Sequence, residues 1–197
     1  MSIKLQTKIS KTLSFILRHN INKNGCFKCD EYGFVRLSEI LEYMKNNNIK
    51  CNIDDIIYIV NTNDKQRFAL ECKYGEYFIK ANQGHSLSVG EKINDDLSYE
   101  IITEPLLSCI HGTETKFLKS ICDNGLNRMK RKHIHFVEEI DRTKQISGFK
   151  QKSDVAIYID MQKCMNDGMV FYKSANGVIL SEGFNGVIEP KYFQQIV

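Results

Sequence analysis

The residues in this chain best equipped for chemistry are arginines, histidines and hydroxyl side chains. Many lie at the ends of predicted elements or in the loops between them, where function concentrates. Arg18 and His19 close an apolar helical run, Arg67 stands just before Phe68-Ala69-Leu70, and Arg131 precedes His133-Ile134-His135. Groups of this kind hold phosphate and make a poor conventional acid/base pair. The familiar alternatives are missing: no G-x-G-x-x-G follows a strand, and there is no P-loop, no H-E-x-x-H and no G-x-S-x-G. Lys+Arg 27 against Asp+Glu 24 leaves a net charge of +3, too mild to announce a nucleic-acid partner by itself. The distribution says more. Residues 1–23 carry Lys4, Lys8, Lys11, Arg18 and Lys23 with no acid, and a second stretch holds Lys116, Lys119, Arg128, Lys130, Arg131 and Lys132 opposed only by Asp123. Clustered cations suit an anionic ligand; they equally suit two solvated helix faces, and charge alone does not separate the two.

Composition bounds the rest. A chain of 197 residues with 42% hydrophobic and 26% charged residues and only 2 prolines is globular, one large domain or two small ones. Its apolar runs are too short for a membrane span. The opening MSIKLQTKISKTL is no signal peptide, so the expected location is cytosolic or nuclear and not secreted. The 7 cysteines are odd in number and scattered, which is not a disulfide framework. Cys26-x-x-Cys29 lacks a second pair of ligands for zinc, so reduced thiols near a turn are the preferred reading and no metal is expected.

The elements that must position these residues follow from periodicity. Over residues 5–17, Leu5, Ile9, Leu13, Ile16 and Leu17 recur at helical intervals. Ser38 can cap a helix through Ile40, Leu41 and Met44 that ends at Asn46-Asn47-Asn48, and Asn52 can cap a third through Ile53, Ile56, Ile57 and Val60. A hairpin follows around Tyr74-Gly75-Glu76. Three helices and a hairpin make a winged-helix pattern. The polar stretch over 88–100 is the best boundary, giving lobes of 1–95 and 96–197. Beyond it, strands dominate: 106–110 running into His111-Gly112-Thr113, a half-buried alternating strand at 133–137, a buried strand at 155–159, and a pair flanking Ala175-Asn176-Gly177. A short helix through Phe117, Leu118 and Ile121 stops at Asn124-Gly125. The class is α+β, with a β-rich second lobe.

Several motifs, in order, carry a resemblance. They are Leu17-Arg18-His19-Asn20, Gly33-Phe34-Val35, Asn63-Asp64-Lys65-Gln66-Arg67-Phe68, Ala81-Asn82-Gln83-Gly84-His85-Ser86, His111-Gly112-Thr113, Gly125-Leu126, Met129-x-Arg131-x-His133-x-His135 and Phe171-Tyr172-x-Ser174-x-Asn176-Gly177-Val178. The chain resembles the RNA 2′-phosphotransferases from about Ile9 to Phe193. That resemblance implies a winged-helix-like RNA-binding lobe, an ADP-ribosyltransferase-like NAD-binding lobe, and an active site in the cleft between them. It implies NAD⁺ as co-substrate and a 2′-phosphorylated RNA, tRNA left by splicing, as substrate. In the family the 2′-phosphate attacks the ribose C1″ of NAD⁺ and expels nicotinamide. The ribose 2″-hydroxyl then attacks that phosphate, giving 2′-hydroxyl RNA and ADP-ribose 1″,2″-cyclic phosphate.

Residue by residue, the family's catalytic Arg-His-Arg-Arg set maps onto Arg18, His19, Arg67 and Arg131. Arg67 and Arg131 are expected to grip the RNA phosphate, and Arg18 and His19 to support the second step, His19 as proton donor. Lys65, Gln83, Gly84, His85, Ser86 and His133 are expected near the RNA phosphate. His111, Gly112, Thr113, His135, Ser174, Asn176, Gly177 and Val178 are expected at the dinucleotide, Gly112 by allowing close approach. Val178 stands where many ADP-ribosyltransferases carry Glu, which fits a nucleophile that is already anionic. Taken alone, each arginine reads as well as a surface or helix-end charge, and His-x-His as a metal pair or two core histidines. A different ADP-ribosyltransferase, acting on nucleic-acid ends or protein, and a non-catalytic RNA-binding module are the alternatives. Nothing demands more than a monomer.

Overall fold

The apolar spacing that opens the sequence becomes helix α1 (Ile3–Phe15) in a computed structural model that describes residues 1–21, 27–140 and 148–197. Two units, Met1–Ser98 and Tyr99–Val197, each enclose a core. The class is mixed α and β, as the periodicities predict.

In the N-terminal unit, Ser2 caps α1 by accepting the Leu5 N–H at 3.3 Å. Ile9 and Leu13 face inward, and the apolar row continues into a π-helical segment, Ile16–Asn20, where Ile16 and Leu17 are buried. Helix α2 (Leu37–Asn46) starts one residue earlier than Ser38 would allow as a cap. Arg36 is the N-cap and makes no side-chain capping bond, so Ser38 sits inside the first turn. Strand pairing at Arg36 fixes this start in place of a cap. Helix α3 (Ile53–Thr62) begins as predicted. The Asn52 side chain accepts the Asp55 N–H at 2.8 Å, and the Asp55 carboxylate accepts the Asn52 N–H at 3.1 Å.

Strand β1 (Val35–Arg36) pairs antiparallel with β3 (Glu76–Ala81), which pairs antiparallel with β2 (Phe68–Lys73), giving the order β1-β3-β2. The hairpin turns on Tyr74 and Gly75, both left-handed at φ 53° and 80°. A two-residue turn of this kind matches strand twist. Ile40, Met44, Ile56 and Ile79 join the α1 residues in the core. The polar stretch over 88–100 is not a bare linker. It holds two single-turn helices, α4 (Leu87–Gly90) and α5 (Asp95–Ser98).

The C-terminal unit is built on antiparallel strands. Strands β4 (Glu100–Ile101), β5 (Ile110–Thr113), β6 (Leu126–Asn127), β7 (Ile134–Phe136), β8 (Val155–Ile159), β9 (Tyr172–Lys173), β10 (Ile179–Ser181), β11 (Val187–Ile188) and β12 (Phe193–Ile196) form sheets β4-β9-β10-β7 and β12-β8-β5 and the pair β11-β6. A bridge between Ile110 and Val137, with two N–H···O bonds of 2.9 Å, joins the first two sheets. Helices α6 (Thr115–Asn124) and α7 (Met161–Asn166) complete the unit. Gly125 ends α6 at φ +83°, and a Cβ there would meet the Ile188 carbonyl oxygen at 2.5 Å, so glycine is required.

Two expectations are corrected here. Of the apolar run over 106–110 only Ile110 belongs to the strand, which continues through His111, Gly112 and Thr113. Residues 133–137 are all buried, so the alternation of histidine with apolar residues does not mark a solvent face. No described helix is long and apolar enough to cross a membrane.

Asn52→Ala removes the α3 cap and is expected to lower the unfolding free energy by about 1 kcal/mol. Urea unfolding should show an earlier midpoint at unchanged slope; an unmoved midpoint would mean that packing alone sets this helix start.

Candidate functional site

Arg18 and His19 occupy the π-helical end of the first helix. A π turn is rare and recurs at functional sites because it widens the backbone locally. Here burial of Ile16 and Leu17 pins one side of the turn, and the next two residues are presented half-buried on the other. The loop at 83–86 fixes this end. The Ser86 N–H donates to the Arg18 carbonyl at 2.8 Å. Gly84, at φ +89°, lies against the guanidinium: a Cβ there would stand 3.4 Å from Arg18 Nε and Cζ.

Arg67 sits between α3 and β2. Its Nη1 donates to Asn63 Oδ1 at 3.0 Å, its carbonyl accepts the Asn82 N–H at 2.9 Å, and Asn82 Nδ2 donates to the Gln66 carbonyl at 2.6 Å. Partial burial lowers the Arg67 pKa and Asp64 opposes the shift. The group remains a cation at neutral pH, as arginines in proteins do. Arg18, His19, Arg67 and Asn63 line one groove of about 560 Å³ that continues along α1, and no acidic residue lines it.

The other residues expected near phosphate divide. Lys65 is half-buried and not on the groove wall, its N–H donating to Asn63 Oδ1 at 3.1 Å. Gln83 and His85 are buried and back the groove without lining it. Ser86 is half-buried, its Oγ 3.4 Å from Ser88 Oγ. Asn63 was not singled out on its own. Its signal was its place at the end of a predicted helix, four residues before an arginine.

In the C-terminal unit, His111 and Thr113 share one face of β5, in register with Ile157 and Val155 of β8. His111 Nδ1 donates to the His135 carbonyl at 2.9 Å, a bond that fixes the tautomer and leaves Nε2 as an acceptor. His135 and His133 are both buried; the His133 ring meets Tyr99 and Tyr172 edge-on, with centroids 5.7 and 6.2 Å away. The space that Gly112 leaves is taken by Phe149, whose Cδ2 a Cβ would meet at 2.5 Å, and the Gly112 N–H donates to the Gly148 carbonyl at 2.7 Å. The close approach this glycine permits is thus made by the protein's own chain.

Ser174, Asn176, Gly177 and Val178 form one tight turn. Ser174 Oγ lies 2.8 Å from Asn176 Oδ1 and accepts the Val178 N–H at 3.1 Å, and Gly177, at φ +77°, faces open space. Arg131 is exposed at the end of another turn, its N–H donating to the Arg128 carbonyl at 3.2 Å. Among the cysteines, Cys26 lies outside the described residues, as does Lys23. Burial pushes the Cys164 thiol up to about 12 and raises that of Cys109, so neither is a thiolate nucleophile.

A mixed α/β chain whose described groove is cationic and free of acids has the electrostatics of an anion-binding protein. The chain matches the sequence model of the family described as RNA 2′-phosphotransferase, Tpt1 / KptA family, over residues 4–183. It is 38% identical over 193 residues to "tRNA 2′-phosphotransferase 1" of Danio rerio, covering 95% of this chain and 84% of that one. It is 39% identical over 198 residues to the mouse protein of the same name, covering 95% and 75%. A Flavobacterium johnsoniae protein named "Probable RNA 2′-phosphotransferase" is 33% identical over 194 residues and 98% of both chains. The chain belongs to the RNA 2′-phosphotransferase family, as its motifs predict.

Burial lowers the His111 pKa, with Lys150 in the same direction and the bond to His135 opposing. The folded chain therefore resists a proton that an unfolded histidine accepts below about pH 6.5. This contribution to stability is fully present above that pH and is lost as pH falls. Denaturant unfolding from about pH 7.5 to about pH 5 should show the decline, and His111→Gln should flatten part of it. An identical slope in the variant would assign the effect elsewhere.

Proposed function

We propose that this chain removes an internal 2′-phosphate from RNA in an NAD-dependent reaction, with spliced tRNA as the substrate. The observation that carries this reading is the convergence of Arg18, His19 and Arg67 on one acid-free groove. It is joined by the relatives' names, which describe action on tRNA or RNA 2′-phosphates. The N-terminal unit, three main helices with a hairpin and a short third strand, is read as winged-helix-like. The C-terminal unit, two antiparallel sheets joined by one bridge, is read as ADP-ribosyltransferase-like.

The residue chemistry follows from the substrate. A phosphate monoester has its second pKa near about 6, so it arrives ionised and needs no general base. Catalysis then rests on positioning and on charge stabilisation. Arg67, oriented by Asn63, and Arg131 supply forked donors that grip two phosphate oxygens and leave a third to react. Arg18 stabilises charge on the phosphate as the RNA oxygen departs, and protonated His19 gives that oxygen its proton. The Gly84–Ser86 backbone holds Arg18 in place.

The C-terminal unit offers a donor set that fits a dinucleotide. The neutral His111 ring turns an acceptor outward, the Thr113 hydroxyl shares its strand face, and the turn at Ser174–Val178 leaves open space beside Gly177. When bound, NAD⁺ supplies an electrophilic glycosidic carbon with nicotinamide as leaving group. With no carboxylate at Val178, this turn has no base to activate a hydroxyl nucleophile, and an anionic phosphate needs none.

Incubation with NAD⁺ and a 2′-phosphorylated oligonucleotide should release nicotinamide and yield 2′-hydroxyl RNA with ADP-ribose cyclic phosphate. ADP-ribosylated RNA as the end product would favour a transferase that stops early; RNA binding without nicotinamide release would favour a binding module. Arg67→Ala should cut dephosphorylation by at least about 10²–10³-fold while NAD⁺ binding survives; near wild-type turnover would remove Arg67 from the phosphate. His19→Ala should let ADP-ribosylated RNA accumulate, and its absence at reduced turnover would count against the proton-donor role.

A further inference from the structure

The groove that holds Arg18, His19 and Arg67 is larger than a phosphate needs. Its volume of about 560 Å³ falls among cavities that bury a drug-sized ligand. Its wall runs back along α1 from Arg18 to Gln6, about 18 Å at the helical rise. Along this stretch stand Lys11, Phe15, Ser10 and Ser14. Lys11 is the one groove-lining cation outside the grip already described, two helical turns before Arg18. Phe15 is 51% exposed although the helix has ample apolar surface to bury elsewhere. It lies one turn after Lys11 and one turn before His19, so a ring and a cation share one face beside the phosphate grip. Thr7 and Thr12 spend their hydroxyls on the Ile3 and Lys8 carbonyls at 2.9 and 3.0 Å. Ser10 and Ser14 make no such bond among the described residues and keep donors toward the groove.

An aromatic face, a cation and hydroxyl donors in a row are the means by which single-stranded nucleic acid is held: bases stack, phosphates pair, and riboses and phosphates accept hydrogen bonds. An acidic peptide would use the cation and leave the ring without a planar partner. We propose that this stretch of the groove is a subsite for the nucleotide adjacent to the 2′-phosphorylated one, with Phe15 stacking on its base and Lys11 pairing with its phosphodiester. Ser10 and Ser14 donate to its phosphate or ribose oxygens. The subsite rests on the function proposed above, because it presumes that the arginine end of the groove takes the 2′-phosphate. It adds that recognition extends along the RNA strand, so that affinity depends on the neighbouring nucleotide and not on the phosphate alone.

The test is equilibrium binding of two probes to the full chain, a nucleoside 2′-phosphate and an RNA trinucleotide carrying an internal 2′-phosphate. The wild type should prefer the trinucleotide by about tenfold or more, the yield of one stacked base. Phe15→Ala should remove most of that preference and Phe15→Trp should keep it. Lys11→Gln should reduce it and lower the salt dependence of trinucleotide binding by about 0.7 in log–log slope. Equal binding of both probes by the wild type, or equal weakening of both probes in the variants, would overturn the subsite and leave the phosphate grip standing. Binding of neither probe would instead overturn the parent reading, and the subsite with it.

Discussion

The N-terminal unit depends on one hydrogen bond between segments far apart in sequence, the Ser86 N–H to the Arg18 carbonyl at 2.8 Å. A cation at a helix end is ordinarily a long, mobile side chain whose ordering costs entropy on binding. Here the backbone beneath it is tied to a loop, and that loop lays a glycine against the guanidinium. Any other residue at Gly84 would need a left-handed conformation and would place a methyl group 3.4 Å from Arg18. Much of the cost of fixing this cation is thus met by folding. Arg67 is treated alike, with Asn63 on its side chain and Asn82 on its carbonyl.

The C-terminal unit repeats the principle with a neutral group. The bond from His111 to the His135 carbonyl lies beside the Ile110–Val137 bridge, where two sheets meet. A side chain at a junction of sheets is held by both, and its tautomer is set by the backbone of the second. Ser174 closes its turn with contacts to Asn176 and Val178, which makes the turn rigid without help from a larger core. Each unit therefore positions polar groups from regular elements that are themselves stitched by backbone bonds, and little is left to side-chain mobility.

The features legible in the sequence were those with local causes. Asn52 announced a cap because its partner is three residues away, Asn124-Gly125 announced a helix stop, and Tyr74-Gly75 announced a turn, since all three obey short-range backbone rules. Features set by tertiary contact were not legible. Ser38 looked like a cap, but pairing of Arg36 with Phe78 determines where α2 begins. The alternation at 133–137 looked half-buried, but coverage by the rest of the unit buries every residue there. The glycine in His111-Gly112-Thr113 was read as space for a ligand, and the space belongs to Phe149. Of the candidate residues, the motifs identified Arg18, His19 and Arg67, which line one groove. They missed Asn63, whose contribution is a single bond across one helical turn.

The π segment at Ile16–Asn20 has an implication for how such a groove can be lost or gained. A π turn accommodates about one residue more than an α turn spanning the same length. Deleting a single residue there would let the segment relax into an ordinary helix, favourable on its own terms, and would rotate everything beyond by about 100°. Arg18 and His19 would keep their identities and their solubility and point elsewhere. The groove is therefore separable from the stability of the helix that carries it, and a one-codon change in length at this spot is more consequential than most changes in composition.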